Sequence, residues 1–310
     1  MTPRTARASL LVATASWGLT FIANHQLLHV VTPPTITLLR FGLVSCLLGL
    51  VIVATPSLRP RFTGREWALL ALCGVLAVPG SQLALTHGQR FLSPAMSGLV
   101  VATGPAFAAV LAVVFLGERL SARARFGIGF AFVGAAVVIL FTSGTGTDLT
   151  VRNPAGAALV ALAQLCWAAF TVLSKGLVTR HPPITVMGVT VILGTLALLP
   201  FAPVVAGEVS HLDGGHALWF VHLAVFGTAV PYLIWGTALR QLAANETAVF
   251  MFLIPLFAVA WSALLVGERP AALGLLGGCA IVAGVMLTQG VGRRPVPRGS
   301  PSPAPEVPPP

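Results

Sequence analysis

The 310-residue sequence predicts an all-α integral membrane protein with ten transmembrane helices arranged as two inverted five-helix repeats. Three observations predict it. Hydrophobic residues make up 56% of the chain and charged residues 8%, with a mean hydropathy of +0.92, far more apolar than a hydrated surface allows. Apolar runs long enough to cross a hydrocarbon core of roughly 30 Å, about 20 residues each, recur about ten times. A set of marked residues also reappears at a constant offset. Pro105 and Pro255, Phe107 and Phe257, and Gly117-Glu118-Arg119 and Gly267-Glu268-Arg269 are each 150 positions apart.

The ten spans run approximately 8–29, 35–55, 66–87, 93–116, 121–142, 154–176, 183–206, 216–238, 243–266 and 271–290. The first follows Arg4 and Arg7 and passes an Ala13-Thr14-Ala15 stretch that mimics a cleavage site. The apolar run ahead of that site is too short for a secretory signal, so the segment counts as a span. Pro33-Pro34 precedes the second span, and Pro182-Pro183 matches it within a residue in the second copy. Trp17 and Trp167, in the first and sixth spans, obey the offset of 150, as do Gly127 and Gly277, Gly134 and Gly284, and Arg90 and Arg240. The units are therefore residues 1–142 and 154–290, followed by a Pro-rich tail, 291–310, that is too polar to bury and is expected to be disordered and cytoplasmic.

Five crossings per copy force the second copy to enter the membrane from the opposite side. Charge agrees. Lys and Arg in alternate loops divide 14 to 3, with Arg40 left inside a span, and the excess marks the cytoplasmic side. Both termini then lie in the cytoplasm of a multi-pass protein of the cytoplasmic membrane. The net charge of +10 thus reports topology and contact with anionic headgroups, and nucleic acid is not an expected partner.

A ten-span chain of two five-span copies, each with a tryptophan in its first helix and each ending in a proline, a phenylalanine two residues on, an apolar run and Gly-Glu-Arg before a glycine-spotted last helix, resembles the EamA-type branch of the drug/metabolite transporter superfamily. "PPTITLLRFGLVSCLLGL" is similar to that family's second-helix pattern. The resemblance covers about residues 8–290. It implies a ten-helix bundle with cytoplasmic termini that moves small polar or amphipathic metabolites, amino acids or related compounds among them, often outward.

In inverted-repeat carriers the substrate sits near the midplane, where broken helices of the two halves meet. Helix breakers mark the third and fourth span of each copy: Pro79-Gly80, Gly104-Pro105, Pro231 and Pro255. Around them stand Ser81, Gln82, Thr103, Thr228, Tyr232 and Trp235, and polar groups at that depth should point inward. The first span of each copy adds Trp17, Phe21 and Asn24, and Gln164, Trp167 and Thr171, at three- to four-residue steps on one helix face. Core packing and interhelical hydrogen bonding explain these residues about as well as cargo contact does. Arg40, about a turn and a half from the predicted outer surface, fits either snorkelling to that surface or binding an anionic group. Glu118-Arg119 and Glu268-Arg269 at span ends read as interfacial anchors, with symmetric gates as the alternative.

No acidic residue lies clearly at a span's centre. That favours facilitated diffusion or coupling through a less obvious group, with His25 and His222 the in-span candidates for titration. Cys46, Cys73, Cys166 and Cys279 lack metal-ligand spacing and read as apolar packing. His25 with His29 lacks a third ligand, "HLDGGH" suits a turn equally well, and "TSGTGT" lacks the ending of a phosphate loop, so no metal or cofactor is expected. An intramembrane enzyme would need a nucleophile with its base, paired carboxylates or a metal cluster within spans, and the sequence offers none. A non-transporting scaffold or sensor stays the harder alternative to set aside, although it would have no evident need for symmetric kinks. The partners expected are a small-molecule substrate and the lipid bilayer; the oligomeric state is not written in the sequence.

Overall fold

The computed structural model describes residues 3–116, 121–141, 154–231, 234, 250, 253–267 and 272–289. All its secondary structure among those residues is helical. Two long helices, α1 (Pro3–Leu28) and α2 (Pro33–Ala54), are followed by α3 (Gly64–Val75), which runs through a π-helical segment (Leu76–Leu83) into α4 (Ala84–Gly88). The fourth predicted span is α5 (Pro94–Val101) and α6 (Gly104–Leu116), and the fifth is α7 (Ala122–Phe141). The second copy contributes α8 (Pro154–Arg180), α9 (Pro183–Leu196), α10 (Ala202–Glu208) and α11 (Gly214–Val221), the last continuing into a second π-helical segment (His222–Ala229). It closes with α12 (Leu253–Leu265) and α13 (Ala272–Gln289).

Among the described residues three helices are long and apolar enough to cross a membrane: Pro33–Ala54, Gly64–Gly88 and Pro154–Val178. A fourth joins them if Pro183–Leu196 and Leu199–His211, bent by 43° at their break, form one span.

Local chemistry explains where these elements begin and change. α3 opens on a capping box, with Thr63 accepting from the Glu66 backbone N–H and the Glu66 carboxylate accepting from the Thr63 backbone N–H. At the same offset of 150, Asp213 and His216 form the corresponding box ahead of α11. Each capped helix then widens into a π segment. Pro79 sits inside the first and Pro231 lies two residues beyond the second; proline supplies no N–H and its ring crowds the preceding turn, so the ladder reorganises there. The fourth predicted span is broken by a turn at Ala102-Thr103, just ahead of Gly104-Pro105. Pro255 differs from its expected role as a mid-span breaker. It stands in the first turn of α12, where a missing N–H costs nothing. Gly267, two residues beyond the end of α12, has a φ of +69°, the left-handed conformation in which a Cβ would be strained; that is the physical reason for the glycine of the second Gly-Glu-Arg.

Packing is chiefly between the copies. α1 lies against α12 as α8 lies against α6, and α8 packs on the first π segment as α1 packs on the second. Two pairs join equivalent helices directly, α2 with α9 and α7 with α13. In the latter, a Cβ on Gly134 would come within 2.6 Å of the Gly277 carbonyl oxygen, and one on Gly284 within 2.5 Å of the Gly127 carbonyl oxygen. Residue 134 thus faces 277 while 127 faces 284, so α7 and α13 run antiparallel with backbones in contact. Small residues permit that approach.

Candidate functional site

The junction of the copies is organised by Arg40 of α2. Arg40 is the one buried Asp, Glu, Lys or Arg among the described residues, 8% exposed. It does not reach for the outer surface, as snorkelling would require. Its guanidinium turns inward, Nε and Nη2 donating to Thr228 Oγ1 at 3.1 and 2.9 Å, Nη2 to the Gly227 carbonyl at 3.4 Å, and Nη1 to Gln82 Oε1 at 3.5 Å. One side chain therefore bridges the two π segments, Gln82 belonging to the first copy's and Gly227 and Thr228 to the second's. Thr228 passes its own proton to the Leu223 carbonyl at 2.9 Å, which leaves its oxygen to accept the arginine fork. The Arg40 guanidinium also lies 5.1 Å from the centre of the Phe41 ring.

Pro231 explains why these carbonyls accept from side chains. Its missing N–H would have bonded the Gly227 carbonyl in an α-helix or the Phe226 carbonyl in a π-helix. Both oxygens instead receive donors from the other copy, Gly227 from Arg40 and Phe226 from Ser16 Oγ of α1 at 2.6 Å. In an apolar medium such carbonyls need partners, so these cross-copy bonds are part of the fold's polar bookkeeping.

A second polar contact lies beyond the first π segment. Asn24 Nδ2 of α1 donates to Gln89 Oε1 at 2.8 Å, both residues being buried. Asn24 Oδ1 and Gln89 Nε2, an acceptor and a donor, are fully enclosed and have no hydrogen-bond partner. Gln82, Thr86 and Gln89 follow at four- and three-residue steps, one stripe leading from the Arg40 contact to the Asn24 contact.

Other expected residues distribute unevenly. Ser81 is buried beside Gln82, whose Nε2 donates to its hydroxyl at 3.4 Å. Thr103 is buried in the turn that breaks the fourth span and donates to the Val100 carbonyl at 2.8 Å. Gln164 places Oε1 against Gly104, where a Cβ would come within 2.7 Å. Gly80 lies against Cys166. Phe21 is a core residue, and Trp17 packs at the edge of the same cluster with Met96, Leu99 and Ala258. Trp167 packs against Phe170 with ring centres 5.1 Å apart. Thr171 is exposed, its hydroxyl folded back on the Trp167 carbonyl at 2.8 Å, so α8 does not present it with Gln164 at the junction. Tyr232, Trp235, Glu118, Arg119, Glu268 and Arg269 lie outside the described residues, as does the side chain of Pro105. Sequence reasoning passed over Gln89, Ser16 and Trp261, whose Nε1 donates to the Ala15 carbonyl at 3.0 Å. The available signal was a glutamine one turn past a stripe already carrying Gln82 and Thr86.

Hydrogen-bond donors and acceptors at the meeting of two broken helices suit the holding and release of a polar solute. Among the described residues the fold is all-helical with such a junction, and comparison with known proteins gives the class, a membrane transporter. The chain belongs to the EamA-like transporter family, whose model matches residues 6–140 and again 154–289. An uncharacterized transporter of Archaeoglobus fulgidus is 27% identical, covering 88% of this chain and 94% of its own. A protein of Streptantibioticus cattleyicolor named as a probable terminal-alkyne amino-acid exporter is 26% identical over 90% of this chain and 91% of its own. The uncharacterized inner membrane transporter YhbE of Escherichia coli is 28% identical over 89% of this chain and 88% of its own. A protein of known crystal structure, 18% identical, superposes over 94% of this chain and 100% of its own with a TM-score of 0.64, which speaks to fold alone. The protein is a multi-pass membrane transporter of small molecules and not an enzyme.

Proposed function

We propose that this chain is an alternating-access carrier that moves small metabolites across the cytoplasmic membrane, with ten spans in two inverted copies, residues 1–142 and 154–290, and both termini cytoplasmic. The antiparallel contact of α7 with α13 at equivalent glycines supports the inversion. The cargo we infer is an amino acid or a related amphipathic compound, moved outward. Supporting this are the S. cattleyicolor relative, by its name, and the chemistry of the junction. Arg40 suits a carboxylate, and Asn24 Oδ1 with Gln89 Nε2 suits a group that both donates and accepts.

The observation that carries the reading is the Arg40 fork on Thr228 with its reach to Gln82, because a cargo carboxylate that takes over those donors loosens one copy's π segment from the other's. Trp17, Phe21, Ser81, Thr103, Gln164, Trp167, Tyr232 and Trp235 complete the proposed surroundings of the cavity. Pro79, Gly80, Gly104, Pro105 and Pro231 supply its kinks. Glu118-Arg119 and Glu268-Arg269 anchor or gate its two mouths.

The test is thermal denaturation of the purified protein against amino acids, sugars, nucleosides and cationic drugs, followed by transport of any stabilising compound in reconstituted vesicles. A ligand that binds the folded state raises its apparent stability. Amino acids are expected to raise the midpoint of the wild type and to lose that effect in Arg40→Ala. Stabilisation by another class alone, or by amino acids equally in Arg40→Ala, refutes the assignment.

A further inference from the structure

A cleft separate from the junction opens on the face that carries the excess of basic residues. It is lined by Ser57, Arg59, Arg61 and Phe62 from the α2–α3 connection of the first copy and, from the second, by His181 of the α8–α9 connection and Thr185 in the first turn of α9. Its walls are held across the copies. Thr185 Oγ1 donates to the Leu58 carbonyl at 2.8 Å, and the Phe62 and His181 rings meet edge to face with centres 4.6 Å apart. The nearest carboxylate, Glu66, is already engaged, its Oε1 lying 3.1 Å from His181 Nε2 and 3.4 Å from Arg180 Nη1. Arg59 and Arg61 differ. Among the described residues their side chains make no hydrogen bond or ion pair, and both are exposed at the cleft. Two guanidinium forks and a hydroxyl, unneutralised and converging on one cleft at the membrane surface, are the chemistry that takes a phosphate group.

We propose that this cleft binds the phosphate of an anionic lipid headgroup, held by Arg59, Arg61 and Ser57 of the first copy against the wall that His181 and Thr185 of the second copy supply. The ligand chemistry is a phosphate monoanion or diester; a soluble phosphate would present the same group. The proposal is independent of what the junction carries.

The test uses the full-length protein in phosphatidylcholine bilayers with and without phosphatidylglycerol, and separately with inorganic phosphate added. The readouts are the thermal midpoint and the lipid retained on native mass measurement. Arg59→Gln with Arg61→Gln is compared with Arg123→Gln with Arg125→Gln, an equal loss of charge at two exposed arginines elsewhere on the same predicted face. Phosphatidylglycerol is expected to raise the wild-type midpoint, and the Arg59/Arg61 pair to weaken its binding about 30-fold, about fivefold for each arginine. The Arg123/Arg125 pair should keep the wild-type response. A rise with inorganic phosphate that the Arg59/Arg61 pair abolishes supports the site and assigns it to a soluble phosphate. If the Arg59/Arg61 pair responds like the wild type, or the Arg123/Arg125 pair loses as much, the attraction is spread over the whole face and the site does not exist. A midpoint already lowered in phosphatidylcholine alone by the Arg59/Arg61 pair makes those residues structural and also overturns it.

Discussion

Ser45 and Thr195, 150 positions apart in the chain, meet with their hydroxyl oxygens 2.9 Å from each other. The Thr195 hydroxyl also reaches the Val191 carbonyl at 2.8 Å and the Phe41 carbonyl at 3.3 Å. A residue faces its own equivalent in another copy only where it lies on the axis relating the two. The surrounding contacts fix the sense of that axis: Ile52 packs against Gly188, and Gly49 is nearest to Ile192, so α2 and α9 run in opposite directions through the meeting point.

Cross-linking should reproduce that order. With the four native cysteines replaced, Gly49→Cys with Ile192→Cys is expected to form a disulfide under mild oxidation, whereas Gly49→Cys with Leu199→Cys, the pair that parallel helices would bring together, is not. The Ser45–Thr195 bond itself should show a coupling of about 0.6 kcal/mol in a double-mutant cycle with alanine, the usual size of an interhelical hydrogen bond in a bilayer.

The glycines between α7 and α13 make a sharper test, because neighbouring positions differ. Gly134→Ala and Gly284→Ala each drive a Cβ into the facing backbone and should each lower stability by about 1–3 kcal/mol. Gly129→Ala meets nothing within 4 Å and should be neutral or stabilising by up to about 1 kcal/mol, since alanine is the better helix former. Equal effects at all three positions would show that these helices do not meet as described.

Pro231 and Ser16 should be coupled. Ser16→Ala removes the donor to the Phe226 carbonyl and is expected to cost about 1–3 kcal/mol, the desolvation penalty of an unpaired group. Pro231→Ala restores a backbone N–H that serves the same region, so Ser16→Ala in that background should cost much less. Additive losses would mean that the proline does not create the need for the serine.

At Arg40, lysine and alanine separate charge from geometry. Lysine keeps the charge but cannot place two donors on Thr228 Oγ1 while reaching Gln82. Thermal midpoints should fall in both variants, with Arg40→Ala costing about 1–3 kcal/mol through the Gly227 carbonyl it strands. For a carboxylate-bearing cargo, KM in vesicles should be lowest in the wild type, higher in Arg40→Lys and highest in Arg40→Ala.

Residue types with a visible anomaly were legible in the sequence. A proline deep in an apolar run, an arginine in a span and glycines recurring at a fixed offset each announce a local conflict with the bilayer, and the structure resolves each with a π segment, an inward fork or a backbone contact. Backbone acceptors were not legible. The Phe226 and Gly227 carbonyls carry no signature in residue type, so Ser16, an ordinary small residue on α1, gave no hint of its partner. Ser45 and Thr195 obey the offset yet differ in identity, and a search for repeated letters passes over a serine matched to a threonine. Gln89 was missed for a different reason. Hydropathy placed the span's end at residue 87, whereas the helix and the turn after it bury the glutamine at 3% exposure. Thr171 differs: helical spacing grouped it with Gln164, about 20° away around α8, yet it is exposed, because spacing alone does not say how far along the helix the neighbouring elements extend.

The inversion of the two copies is tested most directly by labelling single cysteines at Arg123 and Leu273, equivalent exposed positions in the first turns of α7 and α13, with a membrane-impermeant maleimide in intact cells. Position 273 is expected to react from outside and position 123 only after the membrane is opened. Reaction of both from the same side would mean that the copies are not inverted.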